Sequence, residues 1–404
     1  RQRPFRLRQI GLWGSMCAML CLVGASHAQQ TYYVATNGSD IASGLSTNTP
    51  FLTLQKALDT VGPGDTILMR GGTYRGRAQA TQNGTAAQPI TLQAYSNEVP
   101  VLKGSIMVTN WTLHSGAIWK RTGWTNWSQQ VFVDEEPLQM IGKTAINAYA
   151  PIGLGVADMM PGSFFVSTNT QTLYIWLPDN EAPHSHLIEA SVGDYFRILE
   201  LLSFYHIRGL HVRHANVIVQ FAAVFTGNNS IMENCTIQDN DMIGVSVGEN
   251  AVLQDCDISH NGVLGVHGIY TNMTIRNNLV YSNNYRGFND NFISAGIKLH
   301  SAGASLVESN LVHDNFGNGI WLDFCRDESL KRVRANILLR NRRPPSRPDA
   351  AAAALFAEIS RNVLFENNLL IDNSITGIRI AESDGCRILN NTIAGTEGHA
   401  GIEA

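Results

Sequence analysis

The sequence predicts an all-β chain wound as a parallel β-helix, with a short N-terminal capping helix and an inserted β subdomain. Three observations predict it: a recurring phrase, apolar columns within that phrase, and lines of asparagine beside them. The phrase runs from Ile231 to Ile237 and returns from Val252, Thr274, Leu306, Arg332, Leu364 and Arg387. One column, Met232, Leu253, Ile275, Val307, Val333, Phe365 and Ile388, is wholly apolar, as is Ile237, Ile258, Val280, Val312, Leu338, Leu370 and Ile393. Between them run Cys235, Cys256, Asn278, Asn310, Asn336, Asn368 and Asn391, and a second line follows in Asn240, Asn261, Asn283, Asn315, Asn341 and Asn373. Stacked amides at bends satisfy backbone groups that a turn leaves unpaired. A period of roughly 21 to 32 residues, rich in β-branched residues, describes coils that bury their faces only against their neighbours.

The elements follow in chain order. Residues 1–28 combine Arg1, Arg3, Arg6 and Arg8 with an apolar run from Ile10 to Gly24 and the small-residue site Ser26-His27-Ala28, the pattern of a secretory signal peptide. The run is shorter than the roughly 20 residues a membrane span requires, so no membrane insertion is expected after cleavage. Residues 29–110 predict a cap and the first coils. There Pro50 precedes a short amphipathic helix from Leu52 to Val61, and Pro63-Gly64-Asp65 turns the chain into a strand. A helix at that place covers the open end of the solenoid and blocks edge-to-edge pairing. Residues 111–190 break the coil rhythm, and the alternation of Thr172 to Leu177 predicts antiparallel strands. Their aromatics, including Trp111, Trp124 and Phe164, are expected to form a small core. Residues 191–404 predict the remaining coils. A further coil begins at Gly401-Ile402-Glu403, which predicts a missing C-terminal cap.

Composition narrows the function. The 404 residues carry a formal net charge of -4, which provides no nucleic-acid signature and leaves an acidic substrate dependent on local basic groups. Cys235 and Cys256 read as buried substitutes for Asn, while Cys325 and Cys386 lack the CxxC spacing of a zinc or redox site. A monomer is expected.

The third strand of each coil can be aligned on Gly244, Gly265, Gly296, Gly319 and Gly377. Two residues on, the outward positions are Ser246, His267, Lys298, Trp321 and Arg379, and matching Leu355 to Ile378 adds Phe356. Two further on stand His300, Asp323 and Glu358, on the same outer face by the period-two alternation of a strand. Long bends beside this patch carry Arg286, Arg342 and Arg343, whose guanidinium groups suit carboxylated sugars. The predicted site therefore comprises Lys298, His300, Asp323, Glu358 and Arg379 for chemistry. His267, Trp321, Phe356, Arg286, Arg342 and Arg343 are expected to hold substrate.

The stretch Tyr32-Tyr33-Val34-Ala35-Thr36-Asn37-Gly38-Ser39-Asp40, with Pro50-Phe51-Leu52-Thr53-Leu54-Gln55-Lys56-Ala57-Leu58, Gly64-Asp65-Thr66-Ile67 and Gly71-Gly72-Thr73-Tyr74, resembles the opening of secreted bacterial right-handed β-helix enzymes acting on polysaccharides. That group includes pectate-lyase-like, chondroitinase-B-like and alginate-lyase-like proteins and some glycosidases. Ala295-Gly296-Ile297-Lys298-Leu299-His300 is similar to the strand bearing the catalytic lysine of family nine pectate lyases. The resemblance implies a secreted or periplasmic polysaccharide lyase acting on uronic-acid glycans, with Lys298 as base and His300 or Arg379 as proton donor or carboxylate neutraliser. Calcium would acidify the proton. The coil before Lys298 has no clustered aspartates, so calcium would have to use Asp290, Asp314 or Asp323, or be absent. Two alternatives stay open: a glycoside hydrolase built on Asp323 and Glu358, since paired carboxylates serve that chemistry, and a non-catalytic carbohydrate-binding β-helix.

Overall fold

A computed structural model describes residues 28–143, 152–193, 197–217, 221–287, 294–343, 352–373, 376–397 and 400–404. The signal-peptide expectation falls almost wholly outside them. Three long parallel sheets run the length of the molecule. The first has 11 strands, from Thr31–Val34 to Arg387–Leu389; the second and third have 10 each, ending in Thr392–Ala394 and Ile402–Glu403. Consecutive coils pair in parallel, and the recurring phrase is in register throughout, as in Leu253 opposite Ile275 and Val333 opposite Phe365.

The apolar columns fill the interior. Met232, Leu253, Ile275, Val307, Val333 and Phe365 are each fully buried. At about 1.5–3 kcal/mol for each large apolar side chain removed from water, stacking these columns drives the coils together. The bends are held by the amide ladders. Asn278, Asn310, Asn336 and Asn368 each donate to the next coil's side-chain oxygen at 2.9–3.0 Å, and Asn240 through Asn341 do the same. The same Asn oxygens accept backbone N–H groups, as Asn310 does from Asn278. The residue before each ladder position is left-handed, with Asn277 at φ 56 and Asp314 at φ 52, which explains why Asn, Asp and Ser recur there. Replacing Asn315 by Ala strands a side-chain N–H of Asn283, the Asn283 backbone N–H and the Val280 carbonyl in a dry bend. A loss of about 1–3 kcal/mol or more in denaturant unfolding is the expected result.

The capping helix is shorter than the sequence reading, Leu54–Leu58. It starts where the Thr53 side chain accepts from the Lys56 N–H, and it buries Leu54, Ala57 and Leu58. The chain leaves the coils at Ser105 and returns at Ser191, forming sheets of four and five strands in between. Thr172–Trp176 pairs antiparallel on both sides. Trp111, Trp124, Phe164 and Leu173 are buried in this unit's core.

A buried ionic network docks the inserted unit on the second sheet. Lys103 bridges Glu135 at 2.5 Å and Glu189 at 2.7 Å, Arg75 meets Glu189 at 2.5 Å, and Arg213 joins Glu135 to Asp239. His214 lies beneath Phe132, ring centroids 3.6 Å apart, with its Nδ1 2.9 Å from the Ser105 hydroxyl. Donor atoms of Glu135, Glu189 and His214 lie within 4.8 Å of one another. Arg75, Lys103 and Arg213 already neutralise these carboxylates, so the cluster reads as a docking network rather than a metal centre. Burial, aided by the same cations, pushes the His214 imidazole down to about 2 and keeps it neutral.

Candidate functional site on the third sheet

The site occupies five successive strands of the third sheet: Leu264–Gly268, Ala295–His300, Asn318–Asp323, Ala353–Glu358 and Thr376–Ala381. Strand register places His267, Lys298, Trp321, Phe356 and Arg379 in one outward row. His300, Asp323 and Glu358 form the next. The inward residues between them, Ile297, Leu299, Ile320, Leu322 and Leu355, are fully buried and anchor the strands. Neighbouring backbones stand about 4.8 Å apart, so the sheet presents these side chains as a close-packed array.

The rows interlock. Lys298 Nζ lies 2.8 Å from Asp323 Oδ2 and 3.3 Å from the centroid of the Trp321 ring. Trp321 stacks on Phe356, centroids 5.6 Å apart, and the Arg379 guanidinium lies 5.2 Å over Phe356. Lys298, Trp321 and Phe356 are buried although they project outward. His300, Glu358 and Arg379 are partly exposed and open the array to solvent. Asp323 is 7% exposed, and its second oxygen, Oδ1, is buried without a hydrogen-bond partner among the described residues.

Burial and neighbouring charge divide the roles. Burial holds the Lys298 ammonium below its ordinary range, opposed by Asp323 and Glu358. Burial, reinforced by the Asp323 charge, raises the Glu358 carboxyl, with Lys298 opposing. Burial, together with Lys298 and His300, pushes the His267 imidazole down to about 3. The array thus places a carboxyl whose pKa is raised, Glu358, beside Asp323, which lies against the Lys298 ammonium.

Several expected participants lie elsewhere. Arg286 is buried in an ion pair with Asp241 and reaches Met140 of the inserted unit, so it ties that unit to the coils rather than holding substrate. Asp314 is engaged by Arg340 and His313, each at 2.7 Å, on the bend after the second sheet. Asp290 falls outside the described residues. Arg342 and Arg343 sit on the bend that precedes the Glu358 strand, with Arg342 exposed. Calcium requires several converging oxygens. Among the described residues of the expected set, Asp323 has Lys298 against its oxygen and Asp314 is held on another bend, so these two do not converge on one ion. One exposed aromatic beside the array was not singled out in the sequence: Phe324, which follows Asp323 and is 40% exposed. Its only signal was an aromatic residue at a bend.

Residues 222–394 match the family described as right handed beta helix region. Together with the three parallel sheets, this makes the chain a right-handed parallel β-helix protein. More particularly, residues 32–151 match the family described as Pel9A-like, right handed beta helix region. Among curated proteins the chain is 40% identical over 74 residues to pectate lyase PEL9 of Emericella nidulans, a stretch covering 18% of each. It is also 39% identical over 72 residues to the uncharacterized protein YwoF of Bacillus subtilis, 18% of this chain and 15% of that one. These alignments span less than a fifth of either relative. Among solved structures, XylC in complex with xylose superposes with a TM-score of 0.69 at 19% identity, covering 90% of this chain and 70% of that one. A structure titled glycoside hydrolase superposes with a TM-score of 0.58 at 11% identity, covering 91% and 97%. At such identities the likeness establishes the fold.

Proposed function

We propose that the protein is an exported carbohydrate-active enzyme that hydrolyses glycosidic bonds in a polysaccharide or its fragments, with Glu358 as general acid and Asp323 as nucleophile. The observation carrying this reading is the pairing of Glu358, whose carboxyl is raised, with Asp323, whose Oδ1 is buried and unpartnered on the adjacent strand. Titratable neighbours whose environments differ in this way are the usual mark of acid and base assignments. Glu358 donates its proton to the leaving oxygen while Asp323 Oδ1 attacks the anomeric carbon. Water, deprotonated by the Glu358 carboxylate, then cleaves the glycosyl ester and restores both groups. The two residues stand opposite each other on adjacent strands, whose backbones are about 4.8 Å apart, and carboxyl groups about 5 Å apart suit retention of configuration. Export rests on the basic, apolar and small-residue pattern of residues 1–28.

Elimination with Lys298 as base is the second reading, favoured by the lowered pKa of that lysine. Its weakness is geometric, because Lys298 Nζ is held against Asp323 and over the Trp321 ring and must leave that ion pair before it can take a proton. The test is to incubate the protein with neutral, pectic, alginate and glycosaminoglycan polysaccharides, with calcium or chelator, while following reducing ends and ultraviolet absorbance. Reducing ends without absorbance, insensitive to chelator and with retained configuration by NMR, are the expected result. Absorbance rising in step with reducing ends would replace hydrolysis by elimination.

A further inference from the structure

We infer that Phe324 is a stacking platform for the apolar face of a neutral pyranose unit, in the subsite next to Asp323. The inference deepens the hydrolase reading and rests on it for the position of the cleaved bond. At the bend closing four successive third-sheet strands, Ala295–His300 through Thr376–Ala381, the residue is left-handed: Ser301 at φ 53, Phe324 at φ 54, Ile359 at φ 48 and Glu382 at φ 47. Asn or Gly meets that demand with least strain, and a bulky aromatic is among the least suited. On the coil that bears Asp323 the position is nonetheless Phe. Its ring is not part of the core, since it is 40% exposed. It lies 5.8 Å from the His300 ring, and the Arg326 guanidinium stands 4.7 Å from its centroid. A side chain that is strained at its backbone and contributes little burial matches the pattern in which strain is retained for binding.

Charge selects a neutral sugar. Arg326 shares its surface depression with Glu382 and Asp384, and Arg361 beside it is paired with Glu328 at 2.8 Å and Asp384 at 3.1 Å. Among the described residues this rim sets three acids, Glu328, Glu382 and Asp384, against two bases, Arg326 and Arg361, a balance that disfavours a uronate carboxylate while mixed acids and bases suit hydroxyl groups. The aromatic face supplies the remaining contact.

The test uses the full chain carrying Glu358→Gln, so that ligand binding is read without turnover. Calorimetric titration would use neutral tetrasaccharides of xylose, glucose, galactose and mannose, with a galacturonate tetrasaccharide as comparison. At least one neutral ligand should bind. Adding Phe324→Asn should weaken it about tenfold, while the melting temperature holds or rises because Asn accepts the left-handed backbone. Phe324→Tyr should bind within about twofold of the parent. Unchanged binding in Phe324→Asn, a joint fall of binding and melting temperature, preference for the galacturonate ligand, or no neutral ligand bound at all would each overturn the inference. Binding that follows the expected pattern in a protein without hydrolytic activity would instead remove the hydrolase assignment and leave the platform standing.

Discussion

Glu358→Gln abolishes turnover while the fold holds. General acid catalysis contributes about 10²–10⁴ in rate, so kcat should fall by about three orders of magnitude with KM little changed. The pH dependence follows from the environment. Burial and the Asp323 charge raise the Glu358 carboxyl, so the protonated, working form persists further toward neutrality, and wild-type activity declines as pH rises through that raised value. The sign for stability is the same. A carboxyl raised on folding contributes stability at low pH that is lost as pH rises through the folded value. Gln cannot ionise, so Glu358→Gln should show a melting temperature at neutral pH equal to or above wild type. The group is about half-buried, which makes this gain small. Melting curves and kcat across pH 4–9 check both halves at once. Full activity in Glu358→Gln would remove this residue from the chemistry.

How far the sequence reveals the molecule depends on whether a feature repeats. The ladders and columns were legible because each coil imposes the same demand at the same place. Asn283, for example, must both donate to Asn315 and accept from the backbone of Asn261. The alignment that put Lys298 beside Trp321 and Asp323 beside Glu358 was legible for the same reason, since strand register carries it from coil to coil. Pairings that happen once were not legible. Arg286 resembled a substrate ligand because its bend is long, yet its partner Asp241 lies two coils earlier, and nothing local announces that pairing. Nor did the sequence reading anticipate that Lys298 and Asp323 would form an ion pair, because rotamers, not register, bring Nζ to within 2.8 Å of Oδ2. Phe324 was passed over because a left-handed backbone is invisible until the bend is built.

The Lys298–Asp323 pair separates the structural and chemical roles of the lysine. Both side chains are largely buried, at 4% and 10% exposure, and they are in direct contact. Lys298→Met preserves the length and apolar stem over Trp321 but leaves the Asp323 carboxylate buried without its cation, and removing one partner of a buried pair costs about 3–5 kcal/mol. Chemical unfolding at neutral pH should show a loss of that size. The deficit should shrink in acid, because an uncompensated buried carboxylate can take up a proton there, and stability in the variant is then lost as pH rises. Adding Asp323→Asn should restore much of the stability, since the double variant buries no charge, and the cycle of single and double variants isolates the pair's coupling. Activity tells the two chemistries apart. If Lys298 only holds Asp323 in place, folded Lys298→Met should retain measurable hydrolysis while Asp323→Asn retains almost none. If Lys298 abstracts a proton, Lys298→Met should be inactive at every pH, however well folded.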